Sequence, residues 1–124
     1  MPIDSEERRQ ALTALATDVA LVVVFCTIGR RSHAEGLNPV GIAETAWPFL
    51  SGTLVGWLVS RAWRSPYALM PTGVVVWLCT VVVGMLLRRL TSAGVAPSFI
   101  VVASISTAVL LLGWRGAVRV MARS

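Results

Sequence analysis

Gly29-Arg30-Arg31-Ser32-His33-Ala34-Glu35-Gly36-Leu37-Asn38-Pro39 has a second copy in the chain, Leu87-Arg88-Arg89-Leu90-Thr91-Ser92-Ala93-Gly94-Val95-Ala96-Pro97. Both carry an Arg pair, then Gly, then Pro, at the same offsets. An apolar segment enters each copy and another leaves it. The outgoing segments also end alike, in Gly56-Trp57 and in Gly113-Trp114. This is the pattern of two helical hairpins in tandem, each turning over an Arg-Arg…Gly…Pro loop.

Outward from the two turns, the apolar runs cover about 12–29, 43–60, 72–87 and 98–114. At ~1.5 Å per residue they match, or with flanking residues approach, a bilayer core of ~30 Å. A soluble helical bundle alternates apolar and polar faces, whereas these runs are apolar all round. A hydrophobic fraction of 56% and a mean hydropathy of +0.75 point the same way. The expected fold is an all-α membrane protein: one domain, 1–124, of four transmembrane helices. They form two tandem hairpins related by an approximate two-fold pseudo-symmetry axis along the membrane normal. The first run is long and interrupted by Asp18, so it reads as a retained helix rather than a cleaved signal.

Every basic residue is Arg, and Ala, Val and Gly are abundant, a composition typical of a GC-rich bacterial genome. The Arg residues are scattered over loops on both faces, with no basic patch interleaved with aromatics, so nucleic acid is not an expected partner. Helix-end Arg snorkelling to lipid headgroups is the plainer account. Arg8, Arg9, Arg61, Arg64, Arg115, Arg119 and Arg123 lie on one side; Arg30, Arg31, Arg88 and Arg89 lie on the other. Seven against four places both termini in the cytoplasm of a multi-pass cell-membrane protein. Trp57, Trp63, Tyr67 and Trp114 then form an aromatic belt at the inner interface. Cys26 and Cys79 differ in depth by ~10 Å at helical rise, too far for a disulfide.

Three sets of residues are candidates for function. Arg30, Arg31, His33, Arg88 and Arg89 meet at the outer mouth if the axis brings the two turns together, and suit an anion or a lipid headgroup. Asp18, Thr53, Thr80 and Thr107 lie ~9–12 Å from the inner boundary at helical rise, an intramembrane polar layer with one ionisable member. Asp18, Val22, Cys26 and Arg30 share a helix face; the carboxylate either points into the bundle or stays hydrated near the inner interface. Pro48, Gly52, Gly56 and Ser60 form a small-residue stripe, and Gly84 belongs to another on the third span. Gly52-x-x-x-Gly56 is a close-packing motif, serving either the monomer's own packing or a dimer. Pro48 is tolerated in an early turn or bends the helix.

Catalysis has little to stand on. The chain has a single histidine, no Gly-x-Ser-x-Gly and no His-Glu-x-x-His. No Cys/His cluster has metal-ligand spacing, so no enzyme, metal or cofactor is expected.

Gly29-Arg30-Arg31-Ser32-His33, Thr45-Ala46-Trp47-Pro48-Phe49-Leu50, Gly84-Met85-Leu86-Leu87-Arg88 and Leu112-Gly113-Trp114-Arg115 together resemble a family of small prokaryotic four-span membrane proteins. That family is catalogued only as a domain of unknown function. The resemblance runs from Asp18 to Arg115 and implies an integral membrane protein; it brings no activity or ligand. The functional expectation is a small transporter or permeation unit in the lipid bilayer, working as a homo-oligomer on a small, anionic solute. The alternative is a non-catalytic accessory or assembly protein that binds lipid or a larger membrane partner.

Overall fold

The computed structural model describes residues 5–32, 39–91 and 97–123. Four helices account for most of them: α1 (Ser5–Ser32), α2 (Pro39–Ser60), α3 (Val74–Leu90) and α4 (Pro97–Arg123). The proline of each repeat copy is the first residue of an outgoing helix. Its missing N–H is one of the donors that a helix start leaves unpaired anyway, and its fixed φ suits the first turn. Glu6 and Glu7 sit in the first turn of α1, where the helix dipole favours acids.

Contacts between helices give the topology. Cys26 lies against Thr45 and Asp18 against Trp57, so α1 and α2 are antiparallel. Thr53 meets Thr80, and Gly56 meets Val76, so α2 and α3 are antiparallel. Trp77 reaches Ser104 and Arg88 lies over Phe99, which reverses α4 again; Asp18 with Arg115 closes the ring. The start of α1, the α2–α3 connection and the end of α4 therefore share one end of the bundle. The Arg-Arg segments share the other.

The closest packing is between α2 and α3. A Cβ on Gly52 would run into the Cys79 carbonyl and the Thr80 backbone; one on Gly56 would lie 2.7 Å from the Cα of Val76. A Cβ on Gly84 would enter the ring of Phe49. These glycines let backbones approach closely, the means by which helices associate where apolar burial gives no preference over lipid. Pro48 is buried inside α2, not in its first turn. Toward the Arg-Arg end, Phe49 is edge-on to Phe25 and Phe99, with centroids 5.7 and 6.3 Å away. Cys26 and Cys79 are free thiols.

Among the described residues, three segments are long and apolar enough to cross a membrane: Ser5–Gly29, Leu69–Leu90 and Pro97–Ala122. The expectation of four such spans is thus met by three. α2 has the length but carries Glu44, Thr45, Pro48, Ser51, Thr53 and three glycines. Its neighbours cover much of that polarity, burying Ala46, Pro48, Phe49, Gly52, Thr53, Gly56 and Trp57. The outward surface is apolar, with Val24, Ile28, Leu54, Leu58, Val82, Leu86, Ile105 and Val109 exposed.

The α2–α3 connection is irregular. Arg61 adopts a left-handed conformation, φ 51°, uncommon for a residue with a Cβ. A 3-10 turn follows (Ala62–Arg64), then a π-helical turn (Leu69–Gly73) in which Met70 is extended.

Candidate functional site: a saturated carboxylate in the bundle

Asp18 is the only acidic residue between Glu7 and Glu35, and its side chain is wholly inaccessible to solvent. Its i+4 neighbours Val22 and Cys26 are also buried, so this face of α1 points inward. The hydrated alternative at the interface is not the one realised.

Four N–H donors converge on the carboxylate. Arg115 NH1 donates to Oδ1 at 2.9 Å and NH2 donates to Oδ2 at 2.8 Å, a bidentate pair. Trp57 Nε1 donates to Oδ2 at 2.8 Å and Trp114 Nε1 donates to Oδ1 at 2.9 Å. An ionised carboxylate has about four lone-pair sites, and all are filled. The planar guanidinium fork matches the carboxylate's two oxygens, which a lysine ammonium would not.

Arg115 has further partners. Its Nε donates to the Pro66 carbonyl at 2.9 Å and NH1 also donates to the Leu111 carbonyl at 3.1 Å. Its guanidinium carbon lies 4.6 Å from the Trp114 ring centroid, within cation–π range. Tyr67 of the connection packs edge-on against Trp114 at 5.7 Å. One side chain on α4 thus holds α1 through Asp18 and the α2–α3 connection through Pro66.

Two sequence expectations are corrected here. Arg115 is not a snorkelling interfacial charge: it is fully buried, and α4 continues past it to Arg123. Trp57 and Trp114 are not belt residues either, because their indole N–H groups turn inward to Asp18. The physical reason is the same in both cases. A buried carboxylate in an apolar bundle needs a counter-charge and donors, and these are the groups within reach. The missed signal lay in the Gly-Trp repeat itself, since the tryptophan of each copy supplies one of the two indole donors.

The expected polar layer divides. Asp18, Thr53, Thr80 and Thr107 are all buried, but the hydroxyls join other partners. Thr53 and Thr80 Oγ1 atoms lie 2.7 Å apart, and each also lies within bonding distance of its own helix, at the Phe49 and Val76 carbonyls. Two hydroxyl hydrogens serve three such contacts, so two donor arrangements are available. Thr107 Oγ1 donates to its own helix at the Ala103 carbonyl, 2.6 Å. The structure therefore joins Thr53 to Thr80, and Asp18 to Arg115 and the tryptophans.

At the opposite end, Arg88 is half-buried, its guanidinium 4.7 Å from the Phe99 ring centroid, and Arg89 is exposed. The side chains of Arg30 and Arg31, and all of His33, lie outside the described residues. Among the described residues, no group of three or more His, Cys, Asp and Glu is placed to hold a metal ion.

The fold and site define a small helical protein with membrane-spanning character and an ion pair sealed in its interior. A family model described as "Protein of unknown function (DUF3054)" matches residues 15–118, and the chain belongs to that family. The matched region contains Asp18, Trp57, Trp114 and Arg115. No curated protein and no solved structure matches the chain.

Proposed function

We propose that the protein is a multi-pass component of the cell membrane, with both termini cytoplasmic, that acts as a small permeation or transport unit. Asp18 is its coupling group. The observation that supports this reading is the Asp18–Arg115 pair. A buried ion pair contributes little net stability compared with well-packed apolar residues of similar volume. An ionisable residue at membrane depth is by default a functional group. A carboxylate sealed by four donors, two of them from one arginine near a bundle end, suits a group that alternates between paired and released states. The Arg-Arg turns at the other end attract a small anion from outside, and neighbouring copies complete the pathway that four helices are too few to enclose.

The accessory-protein reading loses its main surface. Gly52 and Gly56 are filled by α3 of the same chain, so a partner helix would have to use the outward apolar faces instead.

The test is electrogenic flux in proteoliposomes under an imposed pH gradient, with chloride, phosphate and acetate as probes. A protein-dependent current for one of these anions, abolished by Asp18→Asn at equal reconstitution, is the expected result. Currents equal to those of empty vesicles, or unchanged by the substitution, would overturn it.

A further inference from the structure

Arg115 touches two parts of the molecule at once, α1 through Asp18 and the α2–α3 connection through Pro66. We infer that the α2–α3 connection, residues 61–73, is a cap over this end of the bundle that Arg115 holds shut while Asp18 is charged. This rests on the reading of Asp18 as the coupling group and identifies what its change of state moves.

With Asp18 ionised, the guanidinium is neutralised in place, and its remaining edge, Nε, fixes the Pro66 carbonyl. If Asp18 takes up a proton, the carboxyl gains an O–H and loses its charge, leaving a buried guanidinium without a counter-ion. That arrangement is strongly unfavourable. Arg115 lies against the connection at Pro66, so a stem extended on that side carries the guanidinium past the connection toward water. Leaving the pocket breaks the bond to Pro66.

The connection is the part built to yield. α2 and α3 are locked by backbone contact at Gly52 and Gly56. The cap instead combines a left-handed Arg61, two short irregular turns and an extended Met70. Arg61 N–H bonds back to the Leu58 carbonyl of α2 at 3.3 Å, and the cap's other bonds of this kind are local, from Arg64 to Arg61, Ser65 to Ala62, Ala68 to Ser65 and Gly73 to Ala68, at 2.9–3.2 Å. These local bonds travel with it when it lifts. It is held down by buried Ala62, Pro66 and Thr72, by Tyr67 on Trp114, and by Arg115.

The groups facing Asp18 are Arg115 and Trp114 from α4 and Trp57 from α2. The cap's own charges, Arg61 and Arg64, are exposed, as is Arg119 on α4, and Tyr67 faces Trp114. Among the described residues, Arg115 is the charge in contact with the carboxylate.

The test uses the full chain in lipid nanodiscs, where both faces are open to reagent, with Cys26→Ala and Cys79→Ala. A reporter thiol replaces Ala62, on the buried side of the cap itself, or Ala103 toward the far end of α4, both wholly buried. At one fixed pH, a membrane-impermeant maleimide should label Ala62→Cys slowly. Labelling should rise at least about tenfold when Asp18→Asn is added. Arg115→Lys should raise it as well, because an ammonium keeps the charge at Asp18 without the fork that also spans to Pro66. Ala103→Cys should stay protected in both backgrounds. Unchanged labelling at Ala62→Cys in both backgrounds would overturn the cap, and so would equal gains at both reporters, which mean general loosening. The readout does not depend on flux. A cap that lifts in a protein that moves no anion would refute the transport reading alone, and a shut cap in a transporting protein would refute this inference alone.

Discussion

Gly56-Trp57-Leu58 and Gly113-Trp114-Arg115 begin with the same dipeptide, and the structure uses them differently. Gly56 is pressed against the backbone of α3, whereas a Cβ on Gly113 would meet nothing within 4 Å. Leu58 faces outward and is 67% exposed; Arg115, at the matching place, is completely buried. Only the tryptophans keep one role, each donating its indole N–H to a different oxygen of Asp18. A sequence repeat can therefore persist where two elements serve one acceptor, while its flanking positions follow separate packing demands.

The sharpest way to break this comparison is at its third position. Arg115→Met or Asp18→Leu should each lower resistance to denaturation by about 3–5 kcal/mol, because each leaves a buried partner uncompensated. The double variant Asp18→Leu with Arg115→Met should recover most of that loss. Unfolding titrations in mixed micelles measure all three, and additive losses in the double variant would refute the pairing.

The shared position comes next. Trp57→Phe and Trp114→Phe each remove one hydrogen bond to a charged acceptor, worth about 1.5–3 kcal/mol. The loss should be larger for Trp57, which is buried, than for the half-buried Trp114. The same titrations measure this, and equal, negligible effects would make the indoles bystanders.

The first position gives the smallest effects and an opposite sign. Gly56→Ala should cost about 1–3 kcal/mol, since backbone must shift to admit the methyl. Gly113→Ala should stabilise by up to about 1 kcal/mol through helix propensity. Matching signs in thermal unfolding would remove the distinction.

Much of the helical framework was legible because it is local. The approximate spans and the shared helix face of Asp18, Val22 and Cys26 follow from spacing within one segment. That spacing left open whether the face points inward, and it put Pro39 and Pro97 in the turns rather than at the helix starts. The end of the last span was not legible either, since Trp114 marks the edge of apolarity while α4 runs on to Arg123. Arg115 is a break in hydropathy by itself and an interior residue only when Asp18, distant in sequence, lies beside it. Trp57 and Trp114 failed for a related reason. An indole near a helix end suits an interface equally well until a buried acceptor is placed before its N–H. The partner of a buried charge is a tertiary fact, and no window along the chain contains it.

The order in which the ribosome makes these residues gives the ion pair one more meaning. Asp18 and Arg115 are 97 positions apart, which at ~5–20 residues per second is ~5–20 s of synthesis. Trp57 arrives first, 39 residues after Asp18, and Trp114 and Arg115 arrive together, 96 and 97 residues after it. The first helix therefore emerges well before the arginine that pairs with its acid in the folded bundle. The counter-charge to α1 thus comes from α4, and among the described residues no earlier helix supplies it.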